Sequence, residues 1–249
     1  MDIFNPFSLT NKTILVTGAS SGIGKAIAVS VSKMGANVVI NGRNIIKLES
    51  TLSQLSGDNN SMVAADLTKQ QEISALAATV PQLDGIVHCA GIGHRMPAKM
   101  LTESDVDTVM KANFSGAVLL QAALLSQKKV KKDSSIVFVA SKAADFPSPG
   151  NAIYSASKGA LISYAGCLAL ELAPRGIRVN CICPAMVWTD LILQNEVTID
   201  QLHESEKNYP LKRYGKPEDV ANLVIYLLSD ASSWMTNSCI DLTGGSNSL

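Results

Sequence analysis

Tyr154 and Lys158 stand four residues apart in the segment YSASK (154–158), within a run of small and helix-favouring residues. On a helix, positions i and i+4 share one face about a turn apart. A phenol and an ammonium would therefore sit side by side. A free phenol has pKa ≈ 10. At an effective dielectric near 20, an ammonium roughly 6 Å away favours the phenolate by about 3 kcal/mol, or roughly two pKa units. That pair can move a proton to or from a substrate oxygen near neutral pH. Many helices carry the same spacing as an exposed pair without a role, so the surrounding residues decide its weight.

Short β-branched runs at 13–17, 37–41, 61–65, 85–90, 135–140, 177–183 and 239–243 alternate with segments of helical period. The helical segments run to Met34, to about Ser56, over 69–79, from 103 to 131, from Ala152 to Ala173, and onward from Pro217. Such alternation means βαβ units, which need a parallel sheet covered on both faces. The expected fold is α/β: a single doubly wound Rossmann-type domain over 1–249, with a seven-stranded parallel sheet flanked by helices. Pro217, Glu218 and Asp219 suit a helix start.

TGASSGIGKAIA (17–28) follows the first strand and opens the first helix. A pyrophosphate can rest there on unsatisfied backbone N–H groups. Gly18, Gly22 and Gly24 permit a tight turn and close approach to phosphates. Tight strand-to-helix turns also use glycine for steric reasons alone. The loop lacks the G-K-[ST] ending of a triphosphate-binding loop. About 20 residues past a dinucleotide loop, an acid holds the ribose 2′-hydroxyl or an arginine accommodates a 2′-phosphate. The second strand here ends INGRN, with Arg43 and no acid. An arginine fork matches a phosphate monoester, which favours NADP(H) over NAD(H); otherwise Arg43 is a solvated loop residue.

Of the 249 residues, 47% are hydrophobic and 17% charged, a globular composition. Lysine plus arginine balance aspartate plus glutamate at 21 each, so no net field draws nucleic acid or an anionic membrane. No run of eighteen apolar residues and no secretory leader is visible, which points to a cytoplasmic protein. The five cysteines lie mostly in apolar runs and suit a reducing compartment. Neither Cys181 with Cys183 nor His88 with His94 completes a metal-ligand set, so no metal is expected. Lys128, Lys129, Lys131 and Lys132 read as favourable charge at the end of a helix.

The chain resembles the short-chain dehydrogenase/reductase family over essentially its whole length. The matching residues are TGASSGIG (17–24), ADL (65–67), CAG (89–91), Asn113 in KANFSG, Ser141 in VASKAA, YSASK, and Pro184 with Thr189 in PAMVWT. The resemblance implies a catalytic tetrad of Asn113, Ser141, Tyr154 and Lys158. Tyr154 would exchange the proton, Lys158 would lower the phenol pKa and bind the nicotinamide ribose, Ser141 would bond the substrate oxygen, and Asn113 would hold a water linked to Lys158. Cofactor contacts would come from Gly18, Ser20, Ser21, Gly22, Ile23, Gly24, Arg43, Asp66, Leu67, Cys89, Ala90, Gly91, Tyr154, Lys158, Pro184, Val187 and Thr189.

Several positions depart from the family pattern. His88 and Cys89 replace two asparagines, removing an amide that steadies the sheet; Ala185 replaces a glycine, and Ser21 stands where many NADP-dependent members are basic. Residues 186–211 suit a helical lid over an apolar substrate. An ordinary surface excursion is the alternative. Family members of this layout are similar to 3-oxoacyl-[acyl-carrier-protein] reductases, and Arg175 with the lysines at 128–132 would greet an acidic carrier protein. The wide apolar arcs of the helices at 103–131 and 152–173 imply burial on more than one side, and the resemblance implies a homotetramer. Three readings stand: an NADPH-dependent ketone reductase, an NAD(P)-dependent sugar or alcohol dehydrogenase, and a non-catalytic nucleotide-binding module.

Overall fold

The computed structural model describes residues 4–193 and 198–246. Seven strands form one parallel sheet: β1 Thr13–Val16, β2 Asn37–Gly42, β3 Ser61–Ala64, β4 Leu83–His88, β5 Val130–Val139, β6 Arg178–Pro184 and β7 Ser238–Leu242. Their order is β3-β2-β1-β4-β5-β6-β7. The chain winds outward from β1 in one direction and from β4 in the other. The crevice beyond the carboxyl ends of β1 and β4 is thus the switch point where such sheets bind ligands.

Alternate strand residues feed two apolar layers. Leu15, Ile86, Ile136 and Phe138 pack on one face; Ile14, Val16, Val87, Val137 and Val139 pack on the other. The first face is covered by α3 (Gln70–Thr79), α5 (Gly116–Ser126) and α6 (Ala152–Leu172). The second is covered by α1 (Gly22–Lys33) and α9 (Pro217–Leu228), with Leu48 of α2 (Ile45–Leu52) inserted beside them. Between β4 and α5 lies α4 (Glu103–Met110), opened by a capping box of Thr102 and Asp105. The continuous helical stretch 103–126 is long and apolar enough to cross a membrane, but Leu120 and Leu124 are fully buried within this fold.

The expected helix from 103 to 131 is corrected. α5 stops at Ser126, Lys128 takes a left-handed conformation (φ +56°), and Val130 already pairs with Leu83 in the sheet. The lysine cluster therefore opens β5 instead of closing a helix. Lys129 does serve a helix end, but of α3: its Nζ donates to the carbonyls of Ala78 (3.0 Å) and Val80 (2.7 Å). Lys131 pairs with Asp84 at 2.8 Å.

Candidate active site

Four loops meet beyond the carboxyl ends of β1, β4, β5 and β6. Thr17 joins the first two. Its Oγ1 donates to Val87 O (3.3 Å) and accepts from the backbone N–H of Cys89 (3.1 Å) and Ala90 (3.2 Å). Gly18 (φ +67°) approaches so closely that a Cβ there would lie 2.8 Å from Ala90 Cα, and a Cβ on Gly24 would overlap the Gly18 carbonyl. Ser21 precedes α1 without a side-chain cap, and no acid stands in the first turn. This close-packed loop with uncapped N–H groups fits a pyrophosphate. Gly22 touches the far wall: a Cβ on it would stand 3.2 Å from the Thr189 methyl.

Arg43 is exposed just past β2, and Ser20 lies against Gly42. Asp66 is within reach of the Arg43 charge. Burial would raise its pKa, but donation from Thr68 N (2.9 Å) and Oγ1 (2.8 Å), helped by Arg43, holds the carboxyl below its ordinary value. Leu67 is buried against Gly116, so its side chain seats α5. Ile23 is half-buried at the start of α1. Burial pushes the Cys89 thiol up to about 12. Pro184 and Val187 are buried at the β6 exit, and Val187 bridges Gly215.

Lys158 is buried on α6, its Nζ donating to Val139 O at 2.9 Å and lying 5.9 Å from the centroid of the partly exposed Tyr154 ring. Ser141 follows two residues after that carbonyl. Its Oγ accepts from Ala143 N (3.2 Å), leaving the hydroxyl proton to donate outward. Asn113 sits in a π turn, Lys111–Ser115, that separates α4 from α5. Its Oδ1 accepts from Ile92 N (2.7 Å); its Nδ2 donates to Ile92 O (3.0 Å) and Ser157 Oγ (3.1 Å). Asn113 and Lys158 converge on Gly91: a Cβ there would lie 3.1 Å from Asn113 Oδ1 and 3.5 Å from Lys158 Nζ.

Three supporting residues escaped the sequence reading. Ser157, inside YSASK, donates to Tyr154 O (2.7 Å) and links it to Asn113. Lys142 is buried, and its bonds to Asp145 (2.8 Å) and Asp241 (2.6 Å) fasten the residue after Ser141 to β7. Gln121 of α5 supplies an amide where the strand has none, its Oε1 2.9 Å from His88 Nε2. His88 stacks on Phe138 with ring centroids 4.6 Å apart. The unusual His88 was the available signal for Gln121.

The segment 186–211 contains α7 (Asp190–Leu193) and α8 (Ile199–Glu206); its residues 194–197 lie outside the described residues. Leu191 lies over the loop after β4, 3.1 Å from where a Gly93 Cβ would stand. Lys128, Lys131, Lys132 and Arg175 line a concavity of about 510 Å³ with Gln82, Leu125 and Val130. Gln82, Lys128, Lys131, Lys132 and Arg175 lie at the amino ends of β4, β5 and β6, so the basic patch is at the opposite end of these strands from Ser141 and Tyr154. Among the described residues, no three His, Cys, Asp or Glu side chains converge as a metal site.

A family model described as enoyl-(acyl carrier protein) reductase matches residues 18–247. The 3-oxoacyl-[acyl-carrier-protein] reductase of Rickettsia felis is 36% identical over 95% of this chain and 97% of its own length. The chain belongs to the short-chain dehydrogenase/reductase family. An L-xylulose reductase from Caenorhabditis elegans is 34% identical over 96% of this chain and 97% of that relative. Among solved structures, a short-chain dehydrogenase/reductase from Brucella melitensis, described as glucose/ribitol dehydrogenase, gives a TM-score of 0.91. It shares 32% identity, covering 97% of this chain and 98% of that one. These short-chain dehydrogenase/reductase relatives agree on fold and on oxidoreductase chemistry while their named substrates differ.

Proposed function

We propose that the protein reduces a ketone to a secondary alcohol with NADPH. The observation that carries this reading is the junction at Gly91, where Asn113 and Lys158 meet one turn from Tyr154, beside the glycine loop. When bound, the reduced nicotinamide supplies a hydride to the carbonyl carbon. Tyr154 gives its phenolic proton to the carbonyl oxygen, and Ser141 donates a hydrogen bond to the same oxygen. Lys158, oriented by Val139 O, stabilises the phenolate left on Tyr154. Asn113 fixes the Ile92 backbone and holds a water beside Lys158. Around the cofactor, Arg43 would hold the 2′-phosphate, Asp66 the adenine, Ala90 and Gly91 the ribose, and Pro184, Val187 and Thr189 the carboxamide.

A 3-oxoacyl thioester is the favoured substrate. The name of the Rickettsia felis relative supports it, as do the exposed apolar side chains of Leu191, Leu193 and Ile199 on the lid. A carrier protein docked on the basic concavity of one protomer faces away from that protomer's own cleft, so carrier recognition there needs a second copy. We propose a cytoplasmic homotetramer, with Val106, Leu119 and Leu170 among the exposed apolar residues on the helices it would cover. The xylulose reductase relative keeps a sugar substrate as the second reading.

The deciding experiment follows NADPH absorbance with acetoacetyl thioesters, L-xylulose and simple ketones, using Tyr154→Phe as control. Thioester turnover lost in the variant supports the reading. Turnover of the sugar alone moves the substrate to the second reading, and turnover of nothing by a protein that binds NADPH returns the non-catalytic one. Light scattering measures the assembly.

A further inference from the structure

One carboxylate fastens the lid to the cofactor side of the cleft. Glu206 ends α8 with a side chain only 14% exposed. Its Oε1 accepts from the Trp188 indole N–H (2.6 Å) and from Tyr214 N (2.9 Å), while Oε2 lies 2.9 Å from His203 Nδ1. Burial acts to raise its pKa, yet these hydrogen bonds hold the acid below the ordinary carboxylate range. The Trp188 ring is clamped between His203 and Tyr214, with centroids at 5.0 and 5.5 Å.

The contacts continue to the phosphate loop. Trp188 N donates to Gly215 O (2.9 Å), so Glu206 grips both sides of this bridge: the Trp188 ring on one and the residue before Gly215 on the other. Trp188 precedes Thr189, whose methyl abuts Gly22. We propose that Glu206 is a positioning residue for cofactor binding, acting through Trp188 and Tyr214 to seat Thr189 against the phosphate loop. The inference rests on the nicotinamide-cofactor reading above and adds to it a residue outside the cleft.

The test combines calorimetric titration of NADPH with tryptophan emission. The other tryptophan, Trp234, is 98% exposed, so its emission already sits at the solvent wavelength and any shift reports Trp188. Glu206→Ala is expected to weaken NADPH binding about tenfold and move emission to longer wavelength. Glu206→Gln keeps an acceptor for both N–H groups and should stay within about threefold of wild type. A shifted emission with unchanged Kd in Glu206→Ala overturns the proposal, as does an unshifted emission. If that variant fails to fold, Trp188→Phe removes the indole N–H together with the pyrrole part of the ring while keeping an aromatic side chain; NADPH affinity equal to wild type then overturns it. Wild-type protein binding neither NADPH nor NADH would instead sink the cofactor reading itself.

Discussion

Lys158 Nζ is anchored to Val139 O at 2.9 Å, and the same strand delivers Ser141 two residues later. One backbone carbonyl thus sets the ammonium relative to both hydroxyl-bearing side chains. Tyr154→Phe keeps the ring and removes the hydroxyl, and with it the proton that the proposed reaction transfers. Its kcat is expected to fall about 10²- to 10⁴-fold, the usual worth of a positioned acid, while NADPH Kd changes less than about threefold. Lys158→Met should lose both turnover and cofactor affinity. A phenylalanine variant with wild-type kcat would remove Tyr154 from the reaction.

The buried Asn113 side chain holds the loop after β4 through two hydrogen bonds to Ile92 and ties it to α6 through a third, to Ser157. Asn113→Ala leaves the Ile92 N–H and C=O without these partners. A cost of about 2 kcal/mol follows, which lowers Tm by roughly 4 to 8 °C in a chain of this size. Calorimetric melting measures it, and an unchanged Tm would mean that water replaces the amide.

Much of this site was legible because its parts are local. The Gly18–Gly24 loop, the i,i+4 pair and the β-branched runs each follow from steric or periodic rules within a short segment. The connections were not legible, because they join distant segments: Thr17 to Cys89, Ser157 to Asn113, Gln121 to His88. Polar side chains such as Ser157 carry no sequence signal that distinguishes a buried bridge from a solvated surface group. The start of β5 was misread for a related reason. Lysines suit a helix end, and the left-handed turn at Lys128 is set by pairing of Val130 with Leu83 in the sheet.

Arg43 is the residue that the proposed function assigns to the 2′-phosphate. It is exposed, its charge reaches Asp66, and the guanidinium fork suits a phosphate monoester. Arg43→Ala is expected to weaken NADPH binding about 10- to 100-fold, in line with loss of a charge-assisted pair, and to leave NADH within about threefold. Equal weakening of both cofactors would show that Arg43 serves the adenosine alone.

His88 gives the protein a specific pH response. Burial holds this histidine neutral, with its pKa lowered from 6.5 to about 4 despite the opposing hydrogen bond with Gln121. The unfolded chain therefore binds one more proton than the folded chain between about pH 6.5 and pH 4. Stability is fully present above the unfolded pKa and is lost as pH falls through that window. The loss is roughly 3 kcal/mol for this one group. Carboxylates such as Asp66 and Glu206, whose pKa values are also lowered, lose stability in acid as well, so the difference between two proteins is the quantity to measure. Urea unfolding of wild type and His88→Gln between pH 4 and 7 supplies it. The variant should show the shallower decline, by about that amount, and parallel curves would mean that His88 binds its proton equally well in the folded and the unfolded chain.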